Sequence, residues 1–415
     1  MTIFQIIAIL VTLAATFSYL NYRLLKLPTT IGLMLISLTF SLILMSLDFF
    51  GFELQEKSTQ ILDNIDFSQT LMQGMLSFLL FAGALHVNLS NLIEHKWTIA
   101  ILATIGVGIS TFLIGALMYL GLSWIGLSLS PIYCFILGAI VSPTDPIAVL
   151  ALLKQAGIPS SLETKIVGES LFNDGVGIVI FLVLYKMMAS QQSFDPAHIG
   201  LLLFEEVIGG ILLGLSLGGL TFWLLRTVNN YQLEILLTLS LVTGGYALAS
   251  SLHVSGPLAI VAAGVLIGNH GRHLAMSEST RQHLDTFWEL VDEILNAILF
   301  VLIGLEVLNL TVQSQYVFSA LLAIPIVLVA RFFSVGFPLT LLRLKKRFSP
   351  HVVKILTWGG LRGGISIALA LSLPMGQKRD LILIITYAIV IFSILVQGLT
   401  IPYLLKKTIV QEHNP

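Results

Sequence analysis

The chain has 415 residues, 56% of them hydrophobic and only 10% charged, with a formal net charge of -1. Soluble domains carry about 25% charged residues, so there is too little polar surface here for a water-soluble enzyme. The balanced charge excludes the basic face of a nucleic-acid binder, and a single cysteine, Cys134, excludes intrachain disulfides and cysteine-built metal sites.

What remains is a polytopic membrane protein. A spanning helix needs about 20 mostly apolar residues. Thirteen such stretches lie near 3–22, 29–47, 67–89, 98–122, 131–153, 164–187, 201–225, 232–252, 256–270, 287–308, 315–341, 352–373 and 382–404. The ninth is short and holds Gly256, Pro257, Gly264 and Gly268. Fusion with the eighth across the turn from His253 to Gly256 would leave twelve spans.

The basic residues discriminate. With the N-terminus outside, Arg23, Lys26, Lys96, Lys154, Lys165, Arg226, Arg272, Arg281, Arg343, Lys345, Lys346, Arg347, Lys354, Lys406 and Lys407 all fall on the cytoplasmic side. Only Lys57, Lys186, Lys378 and Arg379 fall opposite. Fifteen against four is the positive-inside asymmetry, and a span missed mid-chain would destroy it. The expected fold class is therefore an all-α membrane protein of about 13 transmembrane helices, N-terminus out and C-terminus in. No lysine or arginine precedes the first stretch, so it is expected to be a retained helix rather than a cleaved signal. One transporter-like domain is expected over 1–407, with a short cytoplasmic tail at 408–415.

Five ionisable residues sit near the middle of expected spans: Asp145, Glu169, Asp174, Arg331 and Arg362. A charge at the bilayer centre costs about 2.5–3.5 kcal/mol on insertion scales, so these residues must face protein or water. Three acids against two bases leave one carboxylate without a fixed counter-ion. Such a group takes up a proton or binds a cation, and that competition is the minimal chemistry of a cation/proton exchanger. A purely structural set of ion pairs is the plainer alternative.

Asp145 lies in Val141-Ser-Pro-Thr-Asp-Pro-Ile147, between two prolines that break or extend the fifth span. Non-helical backbone survives in a membrane only where it lines a cavity or is buried in protein. Its freed carbonyls, with Thr144 and Asp145, would give a hard cation the oxygen ligands it favours. The sixth span carries Gly168-Glu-Ser-Leu-Phe-Asn-Asp-Gly-Val-Gly177, in which Glu169, Ser170, Asn173 and Asp174 fall within an arc of about 140°. The twelfth reads Trp358-Gly-Gly-Leu-Arg-Gly-Gly-Ile365, where four glycines weaken the helix around Arg362. Two interrupted spans at corresponding positions of two halves point to an inverted-repeat transporter with a midplane site. The repeats would cover about 1–189 and 231–407, linked by a helix at 201–226.

Thr144-Asp145-Pro146, Gly168-Glu-Ser-Leu-Phe-Asn-Asp-Gly175 and Gly360-Leu-Arg-Gly-Gly364, in that order on those spans, resemble the NhaP-type Na⁺/H⁺ antiporters of the monovalent cation:proton antiporter family. Leu252-His-Val-Ser-Gly-Pro257 and the span count extend the resemblance over nearly the whole chain. It implies that Asp174 carries the exchanged ion, with Asp145, Thr144 and Ser170 completing the shell around transported Na⁺. Asn173 would hold the unwound segment, Glu169 and Arg362 would form a structural bridge, and Arg331 would balance part of the remaining charge. It also implies a homodimer in the cell inner membrane, with Na⁺ or Li⁺ and H⁺ as cargo and no resident cofactor. Some archaeal relatives place a glutamate in the third span, whereas Ala82 stands there in Leu80-Phe-Ala-Gly-Ala-Leu-His86.

Three other readings are weighed. A K⁺/H⁺ antiporter would share the fold. An intramembrane aspartyl protease needs two carboxylates sharing a proton, but its Tyr-Asp and Gly-x-Gly-Asp signatures are missing. A channel needs a filter loop or acidic ring, and neither is visible. His270, His273 and His283 read as solvated histidines of one cytoplasmic loop. Glu289, Asp292 and Glu293 read as acids opening the tenth span, where they complement the helix dipole.

Overall fold

The computed structural model describes residues 2–49, 70–145, 160–190, 196–310, 313–343 and 351–413, and among these there are helices but no strands. The main helices are α1 (Ile3–Leu20), α2 (Thr29–Phe49), α3 (Leu76–Leu85), α4 (Leu89–Ile101), α5 (Val107–Trp124), α6 (Pro131–Val141) and α7 (Ser160–Ser190). They continue as α8 (Pro196–Leu225), α9 (Tyr231–Ser251), α10 (Gly256–Leu266), α11 (Glu278–Glu306) and α12 (Ser314–Leu342). The last are α13 (Val352–Trp358), α14 (Gly364–Leu371), α15 (Gln377–Ile391) and α16 (Gly398–His413).

Local chemistry sets many of the starts. The Asn88, Asn230, Ser255 and Ser277 side chains accept backbone N–H groups of the first turns of α4, α9, α10 and α11. Pro131 opens α6, where its missing donor costs nothing. His253 adopts φ 55° between α9 and α10. That left-handed turn separates the eighth and ninth stretches, so they do not fuse.

Helix occurs in each of the thirteen expected stretches, and eight described helical runs are long and apolar enough to cross a membrane. The fifth stretch leaves the helix after Val141 and is non-helical over 142–145; from Pro146 onward it lies outside the described residues. The twelfth divides into α13 and α14, with non-helical backbone between. α4 and α5 join through a widened turn at Leu102–Gly106 into one run from Leu89 to Trp124, longer than the expected 98–122.

The helices form two groups. α4 to α7 pack with α12, α14 and α15, while α1 to α3 pack with α8 to α11. Within the span Leu162–Ala189 of α7, 78% of the most apolar window is buried, against 22% for α1 and α8. The latter expose Phe4, Ile7, Tyr19, Phe204, Leu212 and Trp223, as lipid-facing helices do. α7 is thus the axial helix, and the polar face it carries is enclosed by protein.

Candidate functional site

The two breaks meet. The Asp145 N–H donates to the Leu361 carbonyl at 2.8 Å, tying the extended segment after α6 to the one before α14. Arg362 Nη1 donates to the carbonyls of Ser142 and, at 2.7 Å, Pro143. These are acceptors that a continuous α6 would have used itself, so the guanidinium replaces lost helical donors. A Cβ on Gly363 would overlap the Asp145 carboxylate, and one on Gly177 would overlap the Pro143 ring. Glycine at these two positions is therefore required by the approach of α14 and α7 to the break.

The expected face of α7 points into this crossing. Asn173 clasps Thr144 twice: its Oδ1 accepts the Thr144 N–H at 3.2 Å and its Nδ2 donates to the Thr144 hydroxyl at 2.7 Å. Ser170 Oγ lies 3.2 Å from the same hydroxyl. Thr144, Ser170, Asn173 and Asp174 are all buried. Asp174 lies in the field of two charges, the like charge of Asp145 and the opposite one of Arg362. All five residues expected at an ion site are thereby brought together.

One expected pairing is corrected. Glu169 does not bridge to Arg362; its Oε1 accepts from Arg331 Nη1 at 2.6 Å, with both side chains buried. Arg362 is occupied by the Ser142 and Pro143 carbonyls, while its Nε and Nη2 find no partner among the described residues. The physical reason is the break itself: two stranded carbonyls beside Arg362 compete for it, leaving Glu169 to the arginine of α12. The net charge is preserved by the exchange. Glu169 and Arg331 cancel, and Asp145, Asp174 and Arg362 together carry one negative unit.

Ser142, Pro143 and Leu361 enter only through backbone carbonyls, which side-chain reasoning overlooks. The prolines and glycines of the two breaks were the available signal. Ala82 is buried in α3, next to Gly83, which faces Leu171 of α7. The expected histidine loop is largely helical. His283 lies within α11, where its ring stacks on Tyr231 with centroids 4.3 Å apart; His270 is exposed in the preceding turn.

The clasp yields an expected result. Asn173→Ala leaves the buried Thr144 N–H and hydroxyl without their amide partner, a cost of about 1–3 kcal/mol. Thermal melting in detergent should fall accordingly, and cation affinity with it. An unshifted melting curve would show that Asn173 does not hold the break.

Two spans whose helices stop at one buried point, with their non-helical backbones bonded to each other beside buried carboxylates in a body that is helical throughout its described residues, define a membrane transporter of the discontinuous-helix class. The chain belongs to the sodium/hydrogen exchanger family, whose profile, described as "Sodium/hydrogen exchanger, transmembrane", matches residues 9–407. It is 48% identical over 408 residues to the Na⁺/H⁺ antiporter NhaP of Pseudomonas aeruginosa, covering 97% of this chain and 96% of that one. It is 34% identical to the Na⁺/H⁺ antiporter NhaH of Halobacillus dabanensis, covering 97% of each. The fold is similar to that of the sodium proton antiporter MjNhaP1 from Methanocaldococcus jannaschii at pH 8, with TM-score 0.75, 18% identity and 98% and 99% of the two chains covered. Membership of a transporter family sets the protease reading aside.

Proposed function

We propose that this protein is a secondary antiporter exchanging Na⁺, or Li⁺, for H⁺, with cation and proton competing for the Asp174 carboxylate. The observation that carries the reading is the buried crossing that brings Asp174 into the field of both Asp145 and Arg362. Two carboxylates against one guanidinium leave one negative charge to be neutralised, by a proton or by a monovalent cation. Thr144, Ser170 and Asp145 supply oxygens to the cation, Asn173 fixes the segment that presents them, and Glu169 with Arg331 braces α7 against α12. The antiporter names of the relatives from P. aeruginosa and H. dabanensis support the same activity.

The remaining expectations are part of the proposal. Thirteen crossings in the cell inner membrane, with the N-terminus outside and the C-terminus cytoplasmic, fit the distribution of basic residues. Repeats over about 1–189 and 231–407, related by inversion, fit two broken spans that meet. A homodimer is expected from the family resemblance, and cross-linking in native membranes checks it. In everted vesicles, adding Na⁺ or Li⁺ should dissipate a preformed ΔpH, and K⁺ should do so far less. Dissipation by K⁺ alone would replace the reading with K⁺/H⁺ exchange.

Exchange should be electroneutral, one cation for one proton, because the site offers a single proton-or-cation position. A membrane potential, worth about 2.3 kcal/mol per charge per 100 mV, then has no net charge to act upon. Apparent cation affinity should weaken about tenfold per pH unit once protons dominate the site, since both ligands use the same oxygens. Proteoliposomes clamped at different potentials check the stoichiometry. A reversal condition that moves with voltage would mean unequal numbers of protons and cations.

A further inference from the structure

α13 stops about one turn short of Arg362. Its last helical residue is Trp358, and the backbone is non-helical over 359–363. In a continuous helix the Trp358 carbonyl would accept the N–H four residues on, that of Arg362. Here a different donor holds it: Gln397 Nε2, at 3.0 Å. A carbonyl only accepts, so the amide must present its nitrogen. Ser393 Oγ donates to Gln397 Oε1 at 2.9 Å and fixes that orientation. Ser393 and Gln397 are both buried. The Trp358 ring is held from the same side, its Nε1 donating to Thr400 Oγ1 at 2.9 Å.

Ser393 and Gln397 lie in the widened turn Phe392–Gln397 that joins α15 to α16. Single widened turns of this kind recur at functional sites. The arrangement also repeats that of the first break. α7 follows the first break in sequence and reaches back to it with a carboxamide, Asn173, beside a hydroxyl, Ser170. The run Gln377–Leu405 follows the second break and reaches back with Gln397 beside Ser393. What differs is the next residue, Asp174 after Asn173 but Gly398 after Gln397. The first run holds a break and carries a charge; the second only holds.

Both ties between the breaks leave from the segment so held. The Leu361 carbonyl accepts the Asp145 N–H, and Arg362 donates to the Ser142 and Pro143 carbonyls. We propose that Gln397 is the positioning residue of the second break. It takes the place of the Arg362 N–H on the Trp358 carbonyl and keeps 359–363 out of the helix, so that Leu361 and Arg362 reach the ion site. Without it, the donor a helix supplies to that carbonyl is the Arg362 N–H itself, and α13 winds forward over the break. Leu361 and Arg362 are then drawn away from Asp145, Ser142 and Pro143, and the oxygens of Thr144 and Asp145 lose their preset geometry. An ion that must order its own ligands binds more weakly. The inference rests on the reading of Asp145 and Asp174 as the ion site.

Two measurements on one set of variants test it. Na⁺-dependent proton flux in everted vesicles gives KM and maximal rate for wild type, Gln397→Met, Thr400→Val and Asp174→Asn. Gln397→Met keeps the length of the side chain and removes the amide. Its apparent KM for Na⁺ should rise about threefold or more, as for one lost hydrogen bond, with a smaller change in maximal rate. Thr400→Val frees only the Trp358 ring, on the exposed side of α16, and its KM should match wild type. Hydrogen–deuterium exchange on the purified proteins then reads the break itself: the amides of 359–363 should exchange more slowly in Gln397→Met, because α13 closes over them. Faster exchange there would make Gln397 a fastener of α13 to α16 and nothing more, and would overturn the proposal. So would an unchanged KM, a loss of maximal rate alone, or an equal KM shift in Thr400→Val. Should Gln397→Met fail to reach the membrane, Gln397→Asn, whose amide is one methylene too short, decides by the same criteria. Flux retained in Asp174→Asn defeats the ion site; flux lost there beside an unaltered Gln397→Met defeats only the role of Gln397.

Discussion

Asp174→Asn should reduce cation-dependent proton exchange to background while the protein still folds and reaches the membrane. The side chain is buried on the axial helix, in the field of Asp145 and Arg362. Asparagine keeps its shape but neither exchanges a proton nor offers the charge that balances a cation in a low-dielectric site. The substitution also removes a like charge next to Asp145, so melting in detergent should be unchanged or raised. ΔpH dissipation in everted vesicles, with melting recorded on the same preparation, reads both effects. Wild-type-like flux would remove Asp174 from the exchange; lost flux with a collapsed melting curve would make its role structural.

The second large effect belongs to Glu169 and Arg331. Their bond joins α7 to α12 with both partners buried, and the Arg331 Nε already lacks an acceptor among the described residues. Removing one member of such a pair strands the other and costs about 3–5 kcal/mol. Glu169→Ala and Arg331→Ala should therefore each lower melting more than Asp174→Asn does. The double variant should recover much of the loss, because it strands neither charge. Additive losses would mean that the two are not partners. Coupling of Glu169→Ala with Arg362→Ala instead would restore the pairing that the family resemblance implies.

That pairing marks the boundary of what the sequence makes legible. The breaks at Pro143 and at Gly359 to Gly364, the polar face of Glu169, Ser170, Asn173 and Asp174, and their convergence are local patterns, and helical periodicity projects them directly into space. The choice between Arg331 and Arg362 is not local. It depends on how α12 is rotated and on which carbonyls the break at Ser142 leaves without donors, and neither has a signature along the chain. The net charge was nevertheless readable, because it does not depend on who pairs with whom. Asp292 shows the opposite failure. Its place at the polar start of an apolar stretch suggests a first-turn acid, but the cap at Ser277 starts α11 at Glu278, ahead of the hydrophobic stretch, and puts Asp292 well past the first turn. Hydropathy finds where a helix enters the apolar layer, not where it begins.

Competition of proton and cation for one carboxylate is tested most directly by proton release from the purified protein. Na⁺ is added in weakly buffered detergent at a pH where the site is protonated, and protons released are counted against Na⁺ bound. The expected result is one proton per cation in the wild type and none in Asp174→Asn. Na⁺ bound by the wild type without proton release, or equal release from Asp174→Asn, would contradict a shared site at Asp174.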